Sequence, residues 1–405
     1  MASFKTLDDI NVSGKAVLLR VDFNVPMQDG HVADATRIER SLPTIVELAE
    51  AGARVVVASH MGRPGGRRIG DLSLEPVARE LTARLKGRPV IFAEDCIGPV
   101  PQQAIATMTD GDILVLENLR FHAGEESNDM EFASSLARLA DIYVDDAFSA
   151  AHRAHASVEA VTHILPSAAG RLMQAELESL DAALDNPKRP VAAIIGGAKV
   201  SSKLNLLGNL VEKTEVLAIG GGMANTFLHA IGIDVGTSLC EHEMAGHART
   251  LLDKAKAAEC KVVLPTDALV EAELAAGAEV KVVPIKRVPK DRMILDVGPK
   301  TAEDICRQIE SCHTLIWNGP LGCFEVPPFD TGTNTVARKV AELTRAGGLF
   351  SVAGGGDTLA ALAHAGVSDD FSYLSTAGGA FLEWLKGKPL PGVAALERAA
   401  ADFPG

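Results

Sequence analysis

The chain has 405 residues, of which 47% are hydrophobic and 23% charged, and its formal net charge is −14. This composition excludes a disordered chain, because it supplies enough apolar material for a large core, and at ~150 residues per domain the length predicts two or three domains. The acidic balance and the few aromatic residues also argue against nucleic-acid binding, which needs a basic face or stacking platforms.

The N-terminal residues carry charge early and lack the apolar segment of a signal peptide. The longest uncharged run, 216–233, contains three consecutive glycines and several polar residues, so it predicts a strand, a loop and a helix start instead of a membrane span. The six cysteines form no CxxC pair. We therefore expect a cytoplasmic protein with reduced thiols and no membrane partner.

In the first half, short apolar runs each end abruptly in polar or charged residues, as is typical of buried parallel strands in α/β folds. The runs are VLLRVDFNVP, VVVASHMGRP, ILVLENLRF and IYVDDAFSAAHRAH, and helical stretches at 36–51, 74–85 and 131–139 lie between them. Ligands of open parallel sheets bind at the carboxyl ends of the strands. The residues that follow these strands are Asp22, Asn24, His60, Arg63, Arg120, His152 and Arg153.

In the second half, the apolar runs end in polar or glycine-rich turns, with glycine clusters at 196–197, 220–222, 354–356 and 378–379. The runs are VAAIIGGAK, VLAIGGGM, KVVLPTDAL, TLIWNGPLG, LFSVAGGGDT and YLSTAGGA. Glycines allow close backbone approach, and the N–H groups at a helix start suit phosphate. One half thus offers charged side chains and the other offers backbone, which predicts two lobes that bring two anionic substrates together. The helical run from Arg171 to Asp185, ended by Asn186-Pro187, predicts the boundary.

Several common motifs are missing from the sequence. It contains no P-loop, no G-x-S-x-G turn and no G-x-G-x-x-G turn, which disfavours a dinucleotide-binding half. His242, Glu243 and His247 resemble a zinc-protease motif, but the second histidine is five residues after the first, so the two do not share a helix face. We expect no metal there.

The segments VDFNVP, Thr36-Arg37-Ile38, SHMGRP, LENLRF and AHRAH together resemble phosphoglycerate kinase. GGAKVSSK, GGGMANTF, WNGPLGCFE, GGGDT and STAGGA match that family in order along the second half, so the resemblance covers essentially the whole chain. It implies a monomer that reversibly transfers the acyl phosphate of 1,3-bisphosphoglycerate to ADP, giving 3-phosphoglycerate and ATP. The pathway would be glycolysis, gluconeogenesis or carbon fixation.

The fold that the resemblance implies is α/β, with two Rossmann-like lobes, each a parallel sheet flanked by helices, joined by a hinge helix. Residues 1–170 would form the 3-phosphoglycerate lobe and residues 187–385 the nucleotide lobe. The hinge helix would span 171–186, and the C-terminal tail, 386–405, would pack back on the first lobe.

For the first lobe, the resemblance implies a basic pocket for the substrate. Arg37 would stabilise the transferring phosphoryl group, and arginine suits that role because its planar fork stays charged and grips two oxygens. The acceptor carboxylate, with a reference pKa of about 4, is already deprotonated, so no general base is needed. His152 and His155 have the helical spacing of a metal-binding pair, but because a third ligand is missing they are interpreted as structural or substrate-orienting residues. The substrate-binding set is Asp22, Phe23, Asn24, Arg37, His60, Met61, Gly62, Arg63, Arg120 and Arg153.

For the second lobe, Lys199 and Lys203 are four residues apart, so both would lie on one helix face if the preceding double glycine opens a helix. The resemblance assigns Lys203 to the nucleotide phosphates and Lys199 to the transferring group. The nucleotide-binding set is Lys203, Gly220, Gly221, Gly222, Asn318, Glu325, Gly354, Gly355, Gly356, Asp357 and Thr358, and the catalytic set is Arg37, Lys199, Gly356 and Gly379.

Within the nucleotide set, the three glycines 220–222 would let adenine lie against the backbone, and Glu325 would hold the ribose hydroxyls. Asp357 would support Mg²⁺ through the nucleotide, and Thr358 would cap the next helix. One position departs from the family pattern, which has three glycines where this chain has Ala377 followed by two. Because alanine resists positive φ, we expect slight local stiffening.

Two alternatives belong to other functional classes. A catalytically silent nucleotide-binding protein of the same fold is disfavoured because Arg37, Lys199, Lys203 and Asp357 are all present. An NAD-dependent dehydrogenase is disfavoured because the dinucleotide turn is missing.

Overall fold

The computed structural model describes residues 4–85 and 87–403. Close contacts divide them into two units, one running to Glu178 and resuming at Pro389, the other spanning Ser179–Lys388. Each unit contains a six-stranded parallel sheet flanked by helices, so the predicted α/β class is confirmed. Among the described residues, every helix is too short or too polar to cross a membrane.

Unit 1 is built on a parallel sheet of order β5-β6-β4-β1-β7-β8, with a small antiparallel pair, β2 and β3, beside it. Its strands are β1 (Ala16–Arg20), β2 (Met27–Gln28), β3 (His31–Val32), β4 (Arg54–Ala58), β5 (Val90–Ala93), β6 (Ile113–Leu116), β7 (Ile142–Asp145) and β8 (Ser167–Ala169). Its first helices are α1 (Thr36–Glu50), α2 (Glu75–Arg84), α3 (Pro99–Ala106), α4 (Ala123–Glu126) and α5 (Met130–Ala137).

The central strand of this sheet is apolar on both faces because helices cover both. All five residues of β1 are buried. Val17 and Leu19 belong to one core cluster, while Leu18 belongs to the cluster on the opposite face. This arrangement explains why the strand reads as a continuous hydrophobic run instead of an alternating one.

Helix α6 (Arg171–Leu180) follows β8 and continues as a π-helical turn, Asp181–Asp185. Buried Asp146 holds its start, since Asp146 Oδ1 accepts from the backbone N–H groups of Leu172 at 2.8 Å and Met173 at 3.1 Å. The boundary between the two units falls within α6.

Unit 2 has a parallel sheet of order β11-β10-β9-β15-β16-β17 and a separate antiparallel sheet of order β13-β12-β14. Its strands are β9 (Val191–Ile195), β10 (Val216–Ile219), β11 (Lys261–Val263), β12 (Asp267–Glu271), β13 (Lys281–Pro284), β14 (Met293–Val297), β15 (Thr314–Asn318), β16 (Phe350–Gly354) and β17 (Tyr373–Ser375). Its helices are α7 (Leu204–Lys213), α8 (Gly221–Ala230), α9 (Ala245–Ala257), α10 (Pro299–Ile309), α11 (Thr331–Arg345), α12 (Gly356–His364) and α13 (Gly378–Leu385).

The last helix, α14 (Pro391–Asp402), belongs to unit 1. The N–H of Gly392 donates to the carbonyl of Ala151 at 2.9 Å, and a Cβ at Gly392 would lie 2.8 Å from Val158. Farther along, Arg398 donates to the Thr162 hydroxyl at 2.9 Å. Helix α14 therefore completes the packing of a unit that the chain left at Glu178 and rejoins at Pro389.

Each parallel sheet has one place where its strand order reverses. In unit 1 the chain fills one side of β1 through β4, β5 and β6 and then returns to its other side with β7. In unit 2 it fills one side of β9 through β10 and β11 and returns with β15. Crevices at such switch points, beyond the carboxyl ends of the strands, are where open α/β sheets bind ligands.

Candidate functional site

The unit 1 crevice, between β1 and β7, is organised around Asp22. Its Oδ2 accepts from Arg37 Nη1, in the first turn of α1, at 2.6 Å and from the Ser149 hydroxyl, in the turn after β7, at 2.5 Å. Arg37 Nη1 also donates to the Asn24 carbonyl at 3.1 Å. Burial alone would raise the pKa of Asp22, but the neighbouring side chains, Arg37 among them, and the hydrogen bonds hold that pKa below its ordinary value. Asp22 is therefore an anion that positions Arg37.

A second group of predicted residues meets at the loop after β4. The Asn24 side chain accepts from the Gly62 N–H at 2.9 Å, and Arg120 Nη1 donates to the Gly62 carbonyl at 2.7 Å. Asn118 brackets Met61 by accepting from its N–H and donating to its carbonyl, at 3.1 and 2.7 Å. Burial, partly offset by Glu126, lowers the pKa of Arg120. The structure thus brings Asn24, Met61, Gly62 and Arg120 together.

The remaining residues of the predicted substrate-binding set differ in how far their side chains are exposed. Arg63 is exposed, and half-buried Arg153 donates from Nε to His152 Nε2 at 3.2 Å. Phe23 and Met61 are core residues, and Phe23 is fully buried. Only the backbone of these two is near the crevice, where the Phe23 N–H donates to the Ser59 hydroxyl at 2.8 Å.

Arg20, the last residue of β1, was not predicted from the sequence to belong to the site. It is fully buried and donates from Nε to the Ser157 hydroxyl at 2.8 Å, while its Nη2 lies 3.1 Å from His60 Nδ1. Burial and the Arg20 charge hold the pKa of His60 well below its usual range. His60 is consequently neutral, with Nδ1 as the acceptor and the proton assigned to Nε2. The available signal was a charged residue inside an apolar run, which is seldom buried unless paired.

Glu125 is a fully buried acceptor in the same polar network as Arg20 and Ser157. It accepts from the Ser157 N–H at 2.9 Å and the Ser157 hydroxyl at 2.6 Å, and its Oε1 lies 3.8 Å from His155 Nδ1. Burial, reinforced by neighbouring arginines, lowers the pKa of His155 to about 4. His152 and His155 lie in an irregular segment, so their helical spacing in sequence places them on no common helix face.

The ammonium of Lys203 lies at the unit 2 crevice, between β9 and β15. Lys203 Nζ donates to the Gly196 carbonyl at 2.6 Å, to the Asn318 carbonyl at 3.2 Å and to Asn318 Oδ1 at 2.6 Å. Burial lowers the pKa of Lys203 to about 8, although the Asp357 carboxylate opposes this shift. A cation is therefore held at the end of the two central strands.

The expectation that Lys199 and Lys203 share a helix face is wrong. Helix α7 begins at Leu204, with Lys203 at its N-cap, and exposed Lys199 lies in the irregular segment before it. The physical reason is that the oxygens of Gly196 and Asn318, at the ends of two strands, accept hydrogen bonds from Lys203 Nζ. They hold this lysine at the mouth of the crevice, so the helix begins only after it.

A turn of three glycines, 354–356, joins the end of β16 to α12. Gly355 has φ of 100°, and a Cβ there would lie 2.7 Å from Asn318 Nδ2, so only glycine fits. Helix α12 then begins at Gly356, beside which space is open, and Asp357 is exposed in the same turn. First-turn N–H groups beside a cation make this an anion-binding arrangement.

The expectation that Thr358 caps α12 is also wrong, because Gly355 is the N-cap and no side chain caps this helix. The buried Thr358 hydroxyl instead donates to the Gly354 carbonyl at 2.8 Å and accepts from the Gly319 N–H at 2.7 Å. Thr358 thereby joins the turn after β16 to the turn after β15.

The three glycines 220–222 at the start of α8 are required by the protein's own packing. A Cβ at Gly220 would lie 2.4 Å from Leu321, and one at Gly221, whose φ is 65°, would lie 2.7 Å from the Gly197 carbonyl. Glu325 is exposed in the loop after β15, and Gly379 is exposed in the first turn of α13.

Ala377, the departure from the family pattern, has φ of −89° and ψ of 44°. An alanine adopts this conformation without the strain of positive φ, so the expected stiffening has no backbone basis. We predict that Ala377→Gly lowers the free energy of unfolding by about 0.5–1 kcal/mol through unfolded-chain entropy, with kcat unchanged. Urea denaturation measures the first quantity and a steady-state assay the second. A more stable variant would contradict this prediction.

Comparison with known proteins matches residues 7–388 to the family model described as phosphoglycerate kinase. The chain is 60% identical to the phosphoglycerate kinase of Methylorubrum extorquens (strain PA1) over 98% of this chain and 99% of that protein. It is 59% identical to that of Rhizobium meliloti (strain 1021), with the same coverage. Among solved structures, the phosphoglycerate kinase of Coxiella burnetii is similar with a TM-score of 0.92 and 40% identity, covering 99% of this chain and all of that one. That of Pyrococcus horikoshii OT3 gives 0.79 and 32%, covering 98% of this chain and all of that one.

Proposed function

This chain belongs to the phosphoglycerate kinase family, and from that premise we propose how its residues divide the work of the reaction. The enzyme is a phosphotransferase that moves the acyl phosphate of 1,3-bisphosphoglycerate to ADP, reversibly, to give 3-phosphoglycerate and ATP. This assignment of roles rests on one observation: the functional groups at the switch points of the two sheets differ. Unit 1 presents guanidinium groups and unit 2 a half-buried ammonium beside a helix start.

In unit 1, 3-phosphoglycerate binds among Asn24, His60, Arg63, Arg120 and Arg153, with Asp22 holding Arg37 toward the reacting end. The Asp22–Arg37 pair supports this role because a fixed guanidinium needs no reorganisation when charge develops on the phosphoryl oxygens. Neutral His60 contributes an Nε2–H donor instead of a charge. No residue has to remove a proton, because the acceptor is already a carboxylate.

In unit 2, the nucleotide phosphates bind at the first turn of α12 and beside Lys203, and Lys199 reaches the transferring group. Asn318 and Thr358 support this site by fixing the backbone of the turn after β16. Glycines 220–222 and Glu325 serve the nucleoside end of the ligand, and Gly356 and Gly379 present backbone N–H groups to the phosphoryl group.

Magnesium enters with the nucleotide. Asp357 fits such an ion, because its carboxylate is exposed at a helix start beside open space, and Mg²⁺ takes carboxylate and phosphate oxygens while keeping several waters. A single carboxylate makes no dedicated metal cage, so the residues present fit a nucleotide-held ion. Bound there, the ion neutralises phosphate charge. We further propose that the enzyme acts as a cytoplasmic monomer without nucleic-acid partners.

The direct test is an assay of the purified chain with 3-phosphoglycerate, ATP and Mg²⁺, followed by ADP formation. We expect turnover that stops when Mg²⁺ is chelated and resumes when it is restored. A folded protein that binds ATP in calorimetry but shows no turnover would instead support the silent nucleotide-binding alternative.

The lowered pKa of Lys203, about 8, gives a pH-dependent prediction. Between that value and the ordinary lysine value, the unfolded chain keeps a proton that the folded chain has lost, so this group's contribution to stability rises with pH across the window. Bound phosphate favours the ammonium, so ATP binding at about pH 8.5 takes up protons. Calorimetry in two buffers of different ionisation enthalpy measures this uptake. Equal enthalpies in both buffers would contradict the role of Lys203.

A further inference from the structure

Outside the two crevices, three potential metal ligands of different types converge at one edge of the unit 1 sheet. Asp95 and Cys96 follow the edge strand β5, and His122 follows the turn after the neighbouring strand β6. One donor atom from each of these residues lies within 4.8 Å of the other two. Within the described part of the chain, no other set of three or more such residues meets this distance.

We propose that Asp95, Cys96 and His122 form a binding site for a zinc-class divalent cation. A thiolate, an imidazole and a carboxylate are the three side-chain ligands of zinc, and the thiolate disfavours the hard cations Mg²⁺ and Ca²⁺. A fourth position is left for water, because Cys96 is fully buried beneath while Asp95 and His122 have side chains 40% and 32% exposed. The site is thus closed below and open to solvent above.

The present contacts among these residues show how an ion would enter. His122 Nε2 lies 2.7 Å from Asp95 Oδ1, a distance bridged by one proton. Tetrahedral bonds of ~2.0–2.1 Å would separate this nitrogen and oxygen by about 3.4 Å, a shift that partly exposed side chains can make. On binding, the imidazole proton moves from Nε2 to Nδ1 and the thiol proton passes to solvent. The dipositive ion is then balanced by one thiolate and one carboxylate.

The surrounding charges favour a cation at this point. The buried carboxylates of Glu117 and Glu125, together with Asp95, place negative charge around the Cys96 thiol. Arg68, which contacts the Glu94 carbonyl and Glu117, offsets part of this field. A bound cation would relieve the remaining repulsion and tie the end of β5 to the turn that carries Arg120, two residues before His122.

The test uses the reduced, metal-free, full-length enzyme. Zn²⁺ is titrated in competition with a chromophoric chelator, and Co²⁺ is added in a parallel sample to report thiolate ligation through its charge-transfer absorption. We expect one tightly held Zn²⁺ per chain and a thiolate-to-Co²⁺ band. Both are lost in Cys96→Ala, and the Zn²⁺ affinity falls at least about tenfold in His122→Gln.

The matched control is Cys240→Ala, since the Cys240 sulfur lies 3.8 Å from His242 Nδ1 and is the obvious competing thiol. Thermal melting checks that each variant is folded. If Cys96→Ala does not fold, the Zn²⁺ affinity of His122→Gln becomes the deciding measurement. The proposal is overturned if the wild-type chain retains no Zn²⁺ against the chelator. It is equally overturned if the band survives Cys96→Ala, if the band is lost in Cys240→Ala, or if His122→Gln binds Zn²⁺ as the wild type does. These readouts do not depend on kinase turnover, so they leave the proposed reaction untouched.

Discussion

Replacing Arg37 with alanine is expected to lower kcat about 100- to 1,000-fold while leaving the Kd for ATP unchanged. Arg37 is held at the mouth of the unit 1 crevice by Asp22 and the Asn24 carbonyl, so its charge is already in place before the phosphoryl group moves. An interaction made chiefly in the transition state lowers kcat and kcat/KM together when it is removed. Steady-state kinetics with 3-phosphoglycerate and calorimetry with ATP measure the two quantities.

The control is Arg79→Ala, which removes an exposed arginine that is ion-paired with Glu75 within α2. We expect that variant to be as active as the wild type. Arg37→Lys should recover only part of the rate, because it keeps the charge but loses the planar fork. An Arg37→Ala variant with wild-type kcat would remove Arg37 from the transition state, and one impaired only in KM would reduce it to ground-state binding.

The second large effect is expected at Lys203. Lys203→Met keeps the length of the side chain and removes the ammonium, so the Kd for ATP and ADP should rise about 10- to 100-fold, the equivalent of one charge-assisted hydrogen bond. The affinity for 3-phosphoglycerate should not change, because that ligand is assigned to unit 1. Calorimetry with each ligand separates the two effects.

Lys203→Met also leaves the Gly196 carbonyl and the Asn318 side chain without the donor they share in the wild type. Loss of stability must therefore be distinguished from loss of binding, and thermal melting without ligand does so. Lys254→Met is the matched control, since Lys254 also donates to a backbone carbonyl, that of Gly208, but on the exposed face of unit 2. ATP affinity unchanged in Lys203→Met, or equally weakened in Lys254→Met, would refute the assignment.

Much of the fold could be predicted because parallel strands buried on both faces give strong apolar runs. Every apolar run singled out in the sequence overlaps a strand of the structure, and α1, α2 and α5 lie within two residues of the helical stretches expected for them. Several strands were missed, among them the edge strand β5 and the short strand β8. β5 lies at the sheet edge and is mostly half-buried, and β8, Ser-Ala-Ala, is extended because it pairs with β7, not because of its own propensity.

For the candidate site, too, some residues could be predicted from the sequence and others could not. Residues directly after strands, such as Asp22 and Asn24, could be found because strand ends define the ligand edge of the sheet. Arg20 and Glu125 could not be placed, because their pairing depends on contacts more than 100 residues apart in the chain. The late start of α7 was likewise decided by Lys203 reaching oxygens at the ends of two strands, which local propensity does not encode.

Helix α14 has a consequence for the making of the protein on the ribosome. Residues up to Glu178 emerge first, but the surface around Ala151, Val158 and Thr162 stays uncovered until the last helix has been translated. The second unit is one continuous segment, so all of its partners are present as soon as Lys388 has left the exit tunnel. The unit that is translated first is therefore the last to be completed, reversing the usual N-terminal-first order of co-translational folding.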